Sequence, residues 1–332
     1  MKPSARSGLL VAALVLLVLV PLVVYPLFLI KLLCVALLAA SLNLLIGYVG
    51  LLSFGHAMFY GAAGYVTGHV VKEWGWDGVA GIAAGVAVAA ALGFVSGQLA
   101  IRRAGIYFSM ITLAFAQLVY FLALRLPFTG GEDGLQNVPR PRLLGIVDTG
   151  NNLVLYYAVL VIVGAAFWLI WRTVHSPFGQ VLKAIRDNEP RAISLGYRVN
   201  RFKLQAFTLS AALAGLAGGT KVLATQLATL VDVHWATSGE ALLICIVGGL
   251  QTLLGPIVGA IVIVSMEHYL ASLAEWVLII EGAVFIVVVM LFRKGIVGTL
   301  YERLTRRHPA AVDTPAPPAR SPQDAASARP VP

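Results

Sequence analysis

Ser41-Leu-Asn-Leu-Leu-Ile-Gly-Tyr-Val-Gly-Leu-Leu-Ser-Phe-Gly-His-Ala-Met-Phe-Tyr-Gly-Ala-Ala-Gly-Tyr65 lies inside an unbroken charge-free run from Leu32 to Val71. A bilayer core about 30 Å thick needs about 20 apolar residues per helix, so this run is long enough for two spans. Asn43, Gly47, Gly50, Ser53, Gly55 and His56 interrupt it with polar groups and helix breakers. In lipid, irregular backbone survives only where other protein or a water-filled cavity satisfies its amides and carbonyls. Broken helices at membrane depth often line solute paths, which makes Asn43, Gly47, Ser53, Gly55 and His56 candidate pathway residues. The plainer alternative is a cytoplasmic helix-helix turn with Ser53 as N-cap and His56 wetted there.

The surroundings of this stretch are equally apolar. Of 332 residues, 59% are hydrophobic and 12% charged, against about 45–50% and about 25% in soluble proteins. A mean hydropathy of +0.87 exceeds what a buried core of this size can hide, so the surplus must face lipid. The net charge of +9 would suit a nucleic-acid partner, yet Lys and Arg fall in short gaps between apolar runs, and none is expected. Cys34 and Cys245 sit in separate apolar runs and read as packing residues. The six histidines show no paired metal-ligand spacing, and no Gly-x-x-x-x-Gly-Lys-Ser/Thr sequence cradles a nucleotide. No metal, cofactor or chain-internal catalysis is therefore expected, and any energy source must be another subunit or an ion gradient.

Together these features predict an all-α polytopic bundle of about ten transmembrane helices, with eight as the alternative, and both termini inside. Arg102 and Arg103, the Arg172–Lys203 segment and the region from Arg293 should be cytoplasmic, because positive short loops stay inside. Expected helices lie near 9–30, 31–50, 55–72, 78–101, 105–126 and 153–172, followed by Leu204–Thr225 and three more between Ala241 and Phe292. Breaks near Leu254-Gly255-Pro256 and His268 would separate those last three. Residues 1–8 read as a cytoplasmic start, 9–303 as the membrane domain, and 304–332, rich in Pro, Ala and Ser, as a disordered tail. Within the membrane domain, 127–152 is the outer loop and 173–203 the large inner one. Five Gly-x-x-x-Gly pairs, from Gly64/Gly68 to Gly255/Gly259, indicate closely approaching helices.

The inner loop carries its own local signals. Ser176-Pro177 is an N-cap with an N1 proline, and Phe178, Val181, Leu182 and Ile185 recur on one helical face. Asn188 can cap a second short helix with Pro190 in its first turn, ended by Gly196. Such an amphipathic element suits either docking in a partner's groove or lying on the inner membrane surface.

Five motifs in order give the chain a family likeness over roughly residues 30 to 300: the opening stretch, Gly105-Ile-Tyr-Phe-Ser-Met-Ile-Thr-Leu-Ala-Phe115, Thr129-Gly-Gly-Glu-Asp-Gly-Leu135, Ser176-Pro-Phe-Gly-Gln-Val-Leu-Lys-Ala-Ile-Arg-Asp-Asn-Glu-Pro-Arg-Ala192 and Val247-Gly-Gly-Leu-Gln-Thr-Leu-Leu-Gly-Pro256. The chain resembles the LivM-type permease subunit of branched-chain amino-acid ABC importers. That resemblance implies an inner-membrane importer of leucine, isoleucine, valine or related solutes. It also implies a LivH-type second permease, two separate ATPase subunits and a periplasmic binding protein as partners. Closely similar permeases carry urea, short amides or other amino acids.

In the same family Glu189-Pro-Arg-Ala192 followed by Gly196 resembles the ATPase-coupling loop, with Pro190 and Arg191 where the familiar pattern has Glu and Ala. Phe178, Arg186, Glu189, Arg191, Ala192 and Gly196 are the expected coupling residues. Thr129, Gly130 and Gly131 are expected to meet the binding protein. An ion-coupled secondary transporter is the rival class; Glu267 and Glu281 are its best candidates for an intramembrane relay. Glu281 is also placed among the pathway residues, facing the bundle interior.

Overall fold

The computed structural model describes residues 17–140, 149–270, 276–291 and 295–299. These fold as helices α1 (Pro26–Tyr48), α2 (His56–Glu73), α3 (Gly78–Ala100), α4 (Ile106–Arg125), α5 (Asn152–His175), α6 (Pro177–Asp187), α7 (Glu189–Ser194), α8 (Val199–Thr225), α9 (Trp235–Gly248), α10 (Gly255–Leu270) and α11 (Trp276–Leu291). The only pairing of strand type among the described residues is a bridge between Leu135 and Ala228. Five helices, α1, α3, α4, α5 and α8, are long and apolar enough to cross a membrane, and α9 and α10 are shorter apolar helices. The segments 1–8 and 304–332 lie outside the described residues, as do residues 9–16 of the first expected helix; its remainder is not one helix, because a 3-10 turn at Val20–Leu22 interrupts it and Pro26 starts α1.

Hydrophobicity alone does not decide which helix is central. The most apolar stretch of α1 is 89% buried, whereas that of α4 is 28% buried. α1 packs against α5, α8, α9 and α10, and α8 packs against α1, α2 and α3. Glycines allow this. A β-carbon on Gly218 of α8 would overlap the Tyr60 carbonyl of α2, and one on Gly85 of α3 would overlap Thr67 and the Ala63 carbonyl. The expected small-residue contacts are thus present between α2, α3 and α8, and between α9 and α10, where Gly259 meets Ile244 and Gly248.

Several boundaries differ from the sequence expectation. The second helix begins at Pro26, not at 31, after a 3-10 turn at Val20–Leu22. Proline starts it at a first-turn position, where its missing N–H costs nothing. Lys31 therefore lies inside the helix; its charge ends no span because it pairs with Glu267 at 2.9 Å. α8 likewise starts at Val199, ahead of Leu204, since Lys203 is matched by Glu189 at 2.7 Å. The break expected near Gly255-Pro256 occurs at residues 249–254. None occurs at His268, through which α10 continues to Leu270; residues 271–275 lie outside the described residues.

Two ends of the bundle can be told apart. Arg102 and Arg201 line one groove, and Arg186 of α6 reaches Gly47 of α1, which gathers two of the three basic segments at a single end; Arg293 and Lys294 of the third lie outside the described residues. At the opposite end the 127–140 loop is pinned to the exit of α8 by the Leu135–Ala228 bridge and by the Val138 N–H donating to Gln226 O at 3.1 Å.

Candidate functional site

Between α1 and α2 the chain runs without helix from Val49 to Gly55 and turns at Gly50, whose φ of +80° suits glycine. Its polar backbone is answered by neighbouring helices. Ser109 Oγ donates to Leu52 O at 2.7 Å, and Phe54 N–H donates to Thr112 Oγ1 at 3.2 Å, both from α4. Ser53 is not the N-cap of α2: that place falls to Gly55, whose N–H donates to Ser53 Oγ at 3.1 Å. The Ala57 N–H, which a local cap would satisfy, donates instead to Ser238 Oγ of α9 at 2.8 Å.

His56 is not wetted but fully buried. Its Nε2 lies 2.8 Å from Ser210 Oγ, and Ser210 Oγ donates to Ser41 O at 2.6 Å. A hydroxyl has one proton, already committed to Ser41 O, so Nε2 must carry the proton that Ser210 accepts. Nδ1 is then a buried acceptor with no partner. His56 thereby ties α1, α2 and α8 together at the break.

A second break, residues 249–254, meets the first. Asn43, 3% exposed, accepts the Gln251 N–H at Oδ1 (3.2 Å) and donates from Nδ2 to Thr252 O (2.9 Å). Tyr48 OH donates to Gln251 O at 2.9 Å, and Gly47 lies directly against the Gln251 backbone. Each break opens on a positive-φ glycine, Gly50 at +80° and Gly249 at +117°. Asn43→Leu removes both hydrogen bonds. Because Gln251 is exposed and Thr252 half-buried, water replaces part of the loss, and the expected destabilisation is about 1–2 kcal/mol. A thermal unfolding midpoint in detergent checks it; an unchanged midpoint refutes the clamp.

The basic loop folds as its local signals predict. Ser176 Oγ accepts the Gly179 N–H, and Asn188 Oδ1 accepts the Arg191 N–H at 3.0 Å. Gly196, at φ +86°, closes α7: its N–H donates to Ile193 O and the Tyr197 N–H to Ala192 O. The apolar face of α6 and α7, however, is used within the chain. Leu182, Ile185 and Ala192 are buried, and Phe178 stacks on Phe202 with ring centroids 5.7 Å apart. Beside exposed Arg191, the large hydrophobic side chains the loop leaves exposed are Ile193, Leu195 and Tyr197. The last three were not singled out from sequence, since they lie off the α6 stripe.

Arg186 links this loop to the first break. Its Nη1 donates to Gly47 O at 2.6 Å, its aliphatic stem covers Gly50, and its Nε and Nη2 hold Asp187 at 3.0 and 2.7 Å. A cavity of about 470 Å³ lies between the break and the loop, bounded by Gly50, Gly105, Arg186, Glu189 and Lys203.

Other expected positions fare differently. Thr129 is buried, and its Oγ1 lies within hydrogen-bond reach of the Ala123 and Leu126 carbonyls at the exit of α4, which share its single proton. Gly130 and Gly131, both at positive φ, turn the chain there. The side chain of Glu281 lies outside the described residues. Glu267 is held by Lys31.

A family model described as "Branched-chain amino acid transport system / permease component" matches residues 25–289. The LivM high-affinity branched-chain amino acid transport system permease of Escherichia coli K12 is 28% identical over 81% of this chain and 69% of its own length. The corresponding Salmonella typhimurium LivM is 27% identical over 77% of this chain and 65% of its own. The autoinducer 2 import system permease LsrC of Klebsiella pneumoniae is 29% identical over 62% of this chain and 60% of its own. No solved structure matches.

Proposed function

This chain belongs to the family of permease components of branched-chain amino-acid transport systems and is of the LivM type, and on that premise we propose that it forms half of an ATP-driven path for leucine, isoleucine and valine. It is a multi-pass membrane protein and a permease component rather than an enzyme. A LivH-type partner supplies the other half, two ATPase subunits bind at the basic end, and a periplasmic binding protein delivers solute to the other. The membrane is an inner membrane crossed about ten times, and the basic end faces the cytoplasm, in keeping with the positive-inside rule.

The observation that carries this reading is the hydrogen bond from Arg186 to Gly47 O. It joins the loop that meets the ATPases to the break where α1 stops. A ligand shifts an equilibrium only by its differential affinity for the two states. ATP binding and hydrolysis bias outward- and inward-open forms by moving α6 and α7, and Arg186 passes that movement to the 49–55 and 249–254 breaks. Exposed Arg191, Ile193, Leu195 and Tyr197 form the surface that the ATPase grips. Glu189 holds the loop to α8 through Lys203.

The test is uptake by the complete complex in proteoliposomes. ATP-dependent accumulation of leucine, with none of urea or a neutral sugar, is the expected result. Accumulation by this polypeptide without an ATP-hydrolysing companion, or transport of the sugar in place of any amino acid, overturns the proposal.

A further inference from the structure

At the end of the bundle remote from α6 and α7, a cavity of about 240 Å³ opens between α1, α8, α9, α10 and the 3-10 turn Leu230–Asp232. Five Lys, Asp and Glu side chains face it: Lys31, Lys221, Asp232, Glu240 and Glu267. Lys221 Nζ donates to both Asp232 oxygens at 2.5 and 2.6 Å, and Lys31 Nζ donates to Glu267 Oε2 at 2.9 Å. The first pair is largely withdrawn from solvent, the two side chains being 17% and 13% exposed. Val35, Leu38 and Ala241, all buried, supply an apolar wall in the same cavity.

Such a grouping is a poor way to hold helices together. Desolvation offsets much of the attraction in a buried ion pair, and apolar residues of the same volume often do as well. Ionisable side chains in membrane segments more often mark solute routes. The composition of the wall states which solute. Two cations and three carboxylates offer separate places to an anionic and a cationic group, and the apolar wall offers a third to a short hydrocarbon. A zwitterion entering between Lys221 and the carboxylates replaces each ion pair it opens with an equivalent one. A neutral solute opens the same pairs and returns only hydrogen bonds from uncharged groups, which are weaker than a bond between two charges.

From this juxtaposition of split charge and apolar wall we infer that the cavity is a station for a zwitterionic α-amino acid on its way through the subunit. Lys221 and Lys31 take the carboxylate, Glu240 and its acidic neighbours take the ammonium, and Val35, Leu38 and Ala241 take the aliphatic side chain. The inference rests on the reading of the cargo as an amino acid and adds that this subunit itself selects for charge, beyond any choice made by a binding protein.

The double variant Lys221→Met/Asp232→Asn neutralises the buried pair without leaving a lone charge. In the complete reconstituted complex it should keep its unfolding midpoint and co-purify with its partners, while leucine uptake falls about tenfold or more, as expected for losing a charge-assisted contact. If the pair is only a brace, Lys221→Met alone lowers the midpoint and the double variant restores both midpoint and uptake; that result overturns the proposal. Should the double variant fail to assemble, Glu240→Gln, which keeps the shape of the side chain, should raise the KM for leucine, and an unchanged KM overturns it. A wild-type complex that moves a neutral sugar and no amino acid sinks both this inference and the reading beneath it. Wild-type leucine uptake that survives the double variant sinks the cavity alone.

Discussion

Gly218→Val is expected to prevent the bundle from assembling, with a loss of at least about 3 kcal/mol of stability, at or above the upper end for overpacking a well-formed core. The added β-carbon would overlap the Tyr60 carbonyl oxygen, and behind it stand the Tyr60 carbonyl carbon and Cα. Backbone cannot rotate aside as a side chain can, so α2 and α8 must separate. Both also pack against α3, and α1 packs against α8, so the separation spreads through the four central helices. Lipid provides no hydrophobic drive to restore the contact, since hydrocarbon tails are as apolar as the side chains they replace. Gly164→Ala is the matched control: nothing lies within 4 Å of the added carbon, and α5 is exposed there. It should change stability by less than about 1 kcal/mol, in favour of the fold, because alanine has the higher helix propensity. Unfolding midpoints and detergent-extracted yields of the two variants test the contrast; a Gly218→Val protein as stable as the parent removes the close approach of α2 and α8 from the account.

Arg186→Glu should leave the complex assembled and reduce ATP-driven uptake by about tenfold to a hundredfold. A hydrogen bond to a charged group contributes about 1.5–3 kcal/mol, and each 1.4 kcal/mol is about a factor of ten. The substitution removes the donor to Gly47 O and sets a carboxylate beside Asp187, whose charge Arg186 now neutralises. The apolar faces of α6 and α7 are untouched, so the loop keeps its fold. Arg186→Lys should fall between, because an ammonium retains the charge but lacks the planar fork that serves Gly47 and Asp187 together. Uptake per ATP hydrolysed is the decisive measurement. Wild-type uptake in the glutamate variant would mean that movement reaches the breaks by another route.

These two sites show why some features were legible and others were not. Ser176, Asn188 and Gly196 were readable because each acts on backbone within about one helical turn, so the identity of a few neighbours suffices. The polar interruption at 43–56 was readable for the same reason: glycine and polar residues inside an apolar run mark a break wherever it sits. Its content was not. His56 invited a solvent-facing role, yet it is fully buried and bonded to Ser210, which is itself tied to Ser41 O. The α6 stripe invited a partner's groove, yet Phe202 and the body of the chain fill it. Lys31 read as the end of a helix because its counter-charge, Glu267, is 236 residues away.

By itself the sequence determined the class of molecule, the caps of the 176–196 loop, the existence of the breaks near 50 and 255, and the loops that collect positive charge, because hydrophobicity, capping and backbone preference are properties of a residue and its near neighbours. Tertiary structure alone decided that Asn43 clamps Gln251, that Arg186 grips Gly47, and that five charged side chains from five elements, Lys31, Lys221, Asp232, Glu240 and Glu267, face one cavity. Those pairings depend on which helix faces pack together. Close backbone approach at glycines such as Gly218 and Gly259 fixes that choice, and no local pattern encodes it.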